Sequence, residues 1–219
     1  MHISEGVLSA PVLGAGMALS VAGTAVGLKK LKEDKIPQAA ILSAAFFVAS
    51  LIHVPIGPSS AHLILNGILG LMLGWVAFPS ILIALLLQGV LFQFGGITTL
   101  GVNTVIMATP AVVCYYLFSG FVHKPGAVSY AASFACGFLS VFFSSLLVGA
   151  ALMFTQERFL SVAWVVVLAH LPVMVIEGLV AVFCVSFLKK VQPELLPQWS
   201  GAQQQAALDG RTKMAEKQV

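Results

Sequence analysis

"VLSAPVLGAGMALSVAGTAVGLKKLKEDK", residues 7–35, joins an apolar run of helix length to a short basic loop. From Val7 to Leu28 it holds no charged residue, and Lys29, Lys30, Lys32 and Lys35 follow at once. A helix that crosses the hydrocarbon core needs about 20 predominantly apolar residues. A lysine-rich loop directly behind such a helix marks the cytoplasmic side. The stretch therefore reads as a first membrane span, Ser9–Leu28, entered from outside and left inside.

The rest of the chain continues in the same manner. Of its 219 residues 59% are hydrophobic and 9% charged, with a mean hydropathy of +1.00, where a soluble domain carries roughly 25% charged residues. The net charge of +3 sits in loops, which excludes a nucleic-acid partner. Breaks at Pro, Gly or charge divide the apolar sequence into spans Ser9–Leu28, Pro37–Ile52, Ser59–Phe78, Pro79–Phe94, Thr104–Val122, Gly126–Phe154 and Ser161–Leu188. The expected fold is an all-α integral membrane protein of about seven transmembrane helices, with the N-terminus outside and the C-terminus cytoplasmic. Lys124, Lys189 and Lys190 then fall inside with the first four lysines, and only Arg158 falls outside. Residues 1–190 make the membrane domain; residues 191–219, abruptly polar, read as a mobile cytoplasmic tail. Cys114, Cys136 and Cys184 lie in apolar runs without metal-type spacing and read as small hydrophobes.

This topology brings three polar segments to one outer face: "MHISEG" (1–6), "HVPIGPSSAH" (53–62) and "QFGGITTLGVNT" (93–104). The last two lack any charged side chain but are dense in Gly, Ser, Thr, Asn and His. Irregular backbone at membrane depth is tolerated only where protein buries it or it lines a cavity, so a small polar site is expected there. Met1 and His2 supply its chemistry. The free α-amine and the His2 amide nitrogen close a five-membered chelate ring, and that amide nitrogen with the ring Nδ1 closes a six-membered one. Such an in-plane nitrogen set suits Ni(II) or Cu(II), which can drive deprotonation of the amide. His62, read as lying in the first turn of the third span, is the candidate for the remaining donor, with His53 its competitor.

The other polar residues each have two readings. Glu5 either orients the His2 segment or caps the first span. Thr98, Thr99 and Asn103, with Ser59 and Ser60, either hydrogen-bond the N-terminal segment and wall the cavity or satisfy their own loops. Glu177 is the one acidic residue well inside a span, and His170 lies two helical turns before it on the same face; the pair either supports the metal site or makes a structural bond between helices. Pro172 is expected to kink that helix. His123 reads as structural. The ladders Gly14/Ala18/Ala22 and Ala40/Ala44 are expected to pack internally.

On "MHISEG", "GPSSAHLILNG", "FGGITTLGVNT" and "HLPVMVIEG" the chain resembles the substrate-binding membrane components of cobalt and nickel energy-coupling-factor transporters, the CbiM/NikM family. It departs from the cobalt-type "GSCSHPTGTG" pattern, where this chain has "GPSSAHLILNG". The resemblance implies seven helices, an N-terminal segment inserted into the outer cavity, and Ni(II) or Co(II) held by the Met1 amine, the His2 amide and ring, and His62. It also implies a transmembrane coupling subunit, a pair of ATPases and an additional small membrane subunit as partners in a prokaryotic plasma membrane. No GxxxxGK[ST] loop occurs in the chain, so no nucleotide is expected to bind it and it is not read as an enzyme. The competing function is a proton-coupled divalent-metal transporter with Glu177 and His170 as the relay. An intramembrane enzyme would need a second catalytic group beside Glu177.

Overall fold

The computed structural model describes residues 2–51, 53–56, 59–155, 165 and 167–197, with backbone alone for 53–56 and 59–62. Its described residues form seven α-helices: α1 Ala10–Lys30, α2 Ile36–Ala49, α3 Asn66–Leu73, α4 Ala77–Phe92, α5 Leu100–Phe118, α6 Ala127–Thr155 and α7 Leu171–Val191. One antiparallel hairpin, β1 His53–Ile56 with β2 Ser59–His62, is the exception to the all-helical expectation. Five helical runs are long and apolar enough to cross a membrane: Ala10–Lys30, Asn66–Phe92, Leu100–Phe118, Ala127–Thr155 and Leu171–Val191.

Inside the run Asn66–Phe92 the chain reverses. Asn66 Nδ2 donates to the Met107 carbonyl at 3.1 Å, Gly70 lies against Ala111, and Gly74 faces the Tyr115 ring, so α3 runs parallel to α5. The Phe78 ring then packs on Gly23 of α1 and Pro79 on Gly27, while Gln88 lies back at the end that holds His2. The turn is the 3-10 segment Gly74–Val76, where Gly74 takes φ 55°, a region open to glycine at little cost. The expected break at Phe78/Pro79 is thus a few residues late, because proline is accommodated in a helix's first turn. With 8 residues, α3 rises only about 12 Å.

Residues 167–169 are helical, His170 is a turn and α7 begins at Leu171, so the helical path is interrupted directly ahead of Pro172, which stands in the first turn of α7. One further expectation is corrected. The ladders Gly14/Ala18/Ala22 and Ala40/Ala44 lie on the exposed surface; the packed stripe of α1 is Gly16, Ser20, Gly23 and Gly27. Of the last expected span, 161–164 and 166 fall outside the described residues, as does Arg158.

Polarity is arranged inside out. Phe154, Phe183 and Ile41 are 81%, 72% and 69% exposed, whereas Ser129, Ser133, Ser140, Ser144 and Ser145 form the buried face of α6. Lipid rewards neither exposed polar groups nor separated backbones, so small and hydroxyl residues turn inward and let helices approach. The described lysines gather at the end away from His2. Lys30 Nζ stands 5.5 Å over the Trp75 ring, and Lys189 Nζ donates to the Lys124 carbonyl at 3.1 Å and Ser129 Oγ at 2.6 Å. There Leu196 is buried beside Leu71, Cys114 and Val185, and His123 Nε2 donates to the Pro197 carbonyl.

A Cβ on Gly70 would lie 2.2 Å from the Ala111 carbonyl oxygen, whereas one on Gly14 meets nothing within 4 Å. Gly70→Ala is therefore expected to destabilise the bundle by about 1–3 kcal/mol, the usual range for overpacking. Gly14→Ala is expected to be neutral. Thermal unfolding of the two variants in the same detergent checks this pair.

Candidate metal centre

Residues His2 to Leu8 form a strap across the end of the bundle where α2 and α4 finish and α5 and the hairpin begin. Two apolar side chains anchor it, Ile3 at 0% and Leu8 at 8% exposure. Asn103, in the first turn of α5, fixes its backbone: Ile3 N–H donates to Asn103 Oδ1 at 2.9 Å, and Asn103 Nδ2 returns a bond to the Ile3 carbonyl at 3.1 Å. One side-chain amide so satisfies both backbone groups of a buried residue, which would otherwise stay unpaired at a high cost. Thr99 Oγ1 accepts a further bond from Asn103 Nδ2 at 3.2 Å and donates to the Gly96 carbonyl at 3.3 Å.

Glu5 is the second fastening. Its N–H donates to the Gly95 carbonyl at 3.2 Å, and its Oε1 accepts from Thr98 N–H at 3.1 Å and Thr98 Oγ1 at 3.3 Å. The Glu5 side chain crosses Gly96, where a Cβ would fall 1.9 Å from Glu5 Cγ. Of the two readings of Glu5, orientation of the strap is the one the contacts carry; Ser9 stands at the N-cap of α1. Ser9 N–H in turn donates to Thr155 Oγ1 at 3.3 Å, which ties the strap's end to α6.

These fastenings deliver His2 into the bundle, where it is 5% exposed. Its Nε2 lies 2.7 Å from Gln88 Oε1, Gln88 Nε2 donates to Ser50 Oγ at 2.5 Å, and Ser50 Oγ donates to the Phe47 carbonyl at 2.7 Å. Gln88 and Ser50 are both fully buried, and neither emerges from sequence reasoning. A signal existed for the first, because Gln88 is the one amide side chain between Gly67 and Phe92. Ser50 ends α2 and carried no distinguishing signal.

The hairpin register pairs His53 with His62, Pro55 with Ser60 and Ile56 with Ser59. His62 therefore lies in β2, four residues ahead of α3, and not in the first turn of a helix. It is extended through its pairing with His53, and behind it Glu177 Oε1 accepts the N–H groups of Ile64 and of Leu65, the latter at 2.8 Å. Leu65 has φ 56°, a left-handed conformation that a leucine adopts only where its surroundings impose it. Glu177 is fully buried, and its Oε2 has no hydrogen-bond partner among the described residues. His170 is also fully buried and stands at the N-cap of α7.

His2, Glu5, Thr98, Thr99 and Asn103 are thus brought together, with Glu177 holding the segment next to His62. Met1 and the side chains of Ser59, Ser60, His53 and His62 lie outside the described residues. Among the described residues no three His, Cys, Asp or Glu side chains are grouped as a metal site.

The model of the family described as "Cobalt uptake substrate-specific transmembrane region" matches residues 2–195, from the buried histidine to the segment under the bundle. The chain belongs to the CbiM family. It is a multi-pass membrane protein and a cobalt/nickel transport component, not an enzyme. A relative in Haemophilus influenzae, whose name assigns it to metal transport, is 44% identical over 199 residues, covering 90% of this chain and 97% of the relative. The fused nickel transport protein NikMN of Rhodobacter capsulatus is 38% identical over 114 residues, 49% of this chain and 33% of that protein. A crystal structure of a transition metal transporter superposes with a TM-score of 0.76 at 28% identity, covering 87% of this chain and 93% of that one.

Asn103→Leu removes both partners of Ile3 at once and should release the strap. Hydrogen–deuterium exchange at the amides of Ile3 and Glu5 is expected to speed up at least about tenfold, while the helices stay protected. Unchanged exchange at Ile3 would show that the strap is held otherwise.

Proposed function

We propose that this CbiM-family chain is the substrate-binding component of an ATP-driven importer, capturing Ni(II) or Co(II) at the outer face of a prokaryotic plasma membrane. The insertion of His2 into the end of the bundle carries this reading. With the chain starting at Met1, its α-amine, the His2 amide nitrogen and His2 Nδ1 occupy three positions of a plane. His62 fills the fourth, and the register that places His53 across from it makes His53 the competitor. The deprotonated amide and all-nitrogen plane suit Ni(II). Co(II) is the metal named by the family.

The seven-span topology fits the same scheme, with His2 outside and the lysine-rich end in the cytoplasm by the positive-inside rule. Residues 1–190 serve as the membrane domain and 191–219 as a cytoplasmic extension. ATP hydrolysis comes from a pair of partner ATPases through a transmembrane coupling subunit, with a small additional membrane subunit as a further partner. That the Rhodobacter relative is a fused protein of which this chain matches one third supports association with other components. In the proton-coupled alternative Glu177 would exchange its proton through Oε2, since Oε1 accepts two backbone N–H groups.

One residue added before Met1 should abolish native metal binding, because the Met1 nitrogen becomes an amide that must also lose its proton to ligate and the free amine is carried out of its place in the plane. A tag on the C-terminus should have no effect. His2→Ala should match the extended form, His62→Ala should lose most metal, and His53→Ala should stay near native. Metal content of purified protein checks the series; native binding by the extended form would end the terminal-chelate reading.

Glu177→Gln keeps an oxygen for Ile64 and Leu65 but loses the charge. Its metal affinity should fall on the order of 10–100-fold, as for other supports of a ligand. Uptake lost with affinity unchanged would favour the proton relay.

A further inference from the structure

We propose that Gln88 is a positioning residue that fixes the ring tautomer of His2, and that Ser50 sets the direction of its amide. This rests on the reading of His2 as a ligand. The inference follows the hydrogens along one buried chain of contacts. At the end of α2 the N–H groups of Ser50 and Leu51 bond the Phe46 and Val48 carbonyls, and the Phe47 carbonyl takes the Ser50 hydroxyl at 2.7 Å. A serine hydroxyl has one hydrogen. Committed to Phe47, it can only accept from Gln88, so the NH2 of Gln88 faces Ser50 at 2.5 Å. The Gln88 carbonyl oxygen must then face His2, 2.7 Å from Nε2. An amide oxygen has no hydrogen to give, so Nε2 carries the proton.

A neutral imidazole has one protonated nitrogen, so the lone pair resides on Nδ1. The chelate needs that nitrogen and no other, since the six-membered ring with the His2 amide nitrogen closes through Cα, Cβ and Cγ to Nδ1. Bonding through Nε2 would require a span that a single residue cannot bridge. The opposite tautomer would set a hydrogen where the metal sits. Turning the Gln88 amide over would present N–H to Nε2, and would draw the Ser50 hydroxyl away from the Phe47 carbonyl. Burial closes the remaining escape: His2 is 5% exposed, and Gln88 and Ser50 are fully buried, so water is not at hand to replace either partner. Gly95 flanks the other side of the ring, with the position of its absent Cβ 3.5 Å from His2 Cδ2.

Gln88→Met keeps the volume and removes the acceptor, and Gln88→Glu restores it. Protein labelled with 15N-histidine is placed in nanodiscs, and the two-bond proton–nitrogen correlations are recorded without metal, with His2→Ala identifying the His2 signals. Ni(II) affinity is measured on the same samples. The wild type should show a single Nε2–H tautomer. Gln88→Met should show both tautomers and bind Ni(II) about 10–100-fold more weakly, and Gln88→Glu should regain the single tautomer and most of the affinity. Ser50→Ala should lie between wild type and Gln88→Met.

An Nδ1–H tautomer in the wild type overturns the proposal. So does a Gln88→Met protein whose affinity falls with the tautomer unchanged, because that is a packing role, or whose tautomer shifts with native affinity. The reading of His2 as a ligand is judged separately: if His2→Ala binds Ni(II) as the wild type does, that reading fails whatever Gln88 does.

Discussion

The side-chain amide of Asn103 pairs with both backbone groups of Ile3 at 2.9 and 3.1 Å, and the placement of everything at this end of the bundle depends on that pairing. It seats a fully buried isoleucine, whose transfer from water is worth about 1.5–3 kcal/mol. It also leaves no backbone polar group of that residue orphaned where water is scarce. One residue away, His2 has little freedom left. Its ring meets Gln88, Gly95 and Phe94 because Ile3 is fixed, and Glu5 crosses Gly96 for the same reason. The strap is a short peptide held as a ligand would be held, by shape, by amide pairing and by a carboxylate.

A strap of this kind needs a rigid seat, and the membrane bundle supplies one by means a soluble protein uses less. Close backbone approach at Gly16 and Gly27 of α1 and Gly70 of α3, with the Phe78 ring seated on Gly23, locks helix against helix. Asn66 ties α3 to both α5 and α6, through the Met107 carbonyl at 3.1 Å and Ser144 Oγ at 3.0 Å. Glu177 ties the segment behind the hairpin to α7 through two N–H groups. The strap and the segment behind the hairpin are thereby attached to different helices, α5 and α7, which holds the geometry of a small site more tightly than loops alone could.

Composition alone gave the membrane class, and the runs around Ala10–Lys30, Ala127–Thr155 and Leu100–Phe118 were legible because apolar length is a strong signal. The reversal at Gly74–Val76 was not, since no charge or polar cluster marks it and Pro79 drew the break toward itself. The β-hairpin was hidden for another reason: its strands are four residues each and lie in a sequence with loop composition. The small-residue ladders failed because Gly14/Ala18/Ala22 and Gly16/Ser20/Gly23 are both periodic, and only the neighbours decide which faces them. The gathering of His2, Glu5, Thr98, Thr99 and Asn103 at one end of the bundle was legible from topology and motif. Gln88 and Ser50 escaped because a single amide or hydroxyl in an apolar helix has no pattern of its own.

The central claim is that the chain's own beginning, and not a cluster of side chains, holds the metal. X-ray absorption at the nickel edge of purified, Ni(II)-loaded protein in nanodiscs tests it most directly, because edge shape reports geometry and the extended spectrum reports donor type. The account predicts a square-planar nickel surrounded by nitrogen alone, with short bonds to the amine and the deprotonated amide beside the imidazoles. A six-coordinate nickel with oxygen donors would contradict it.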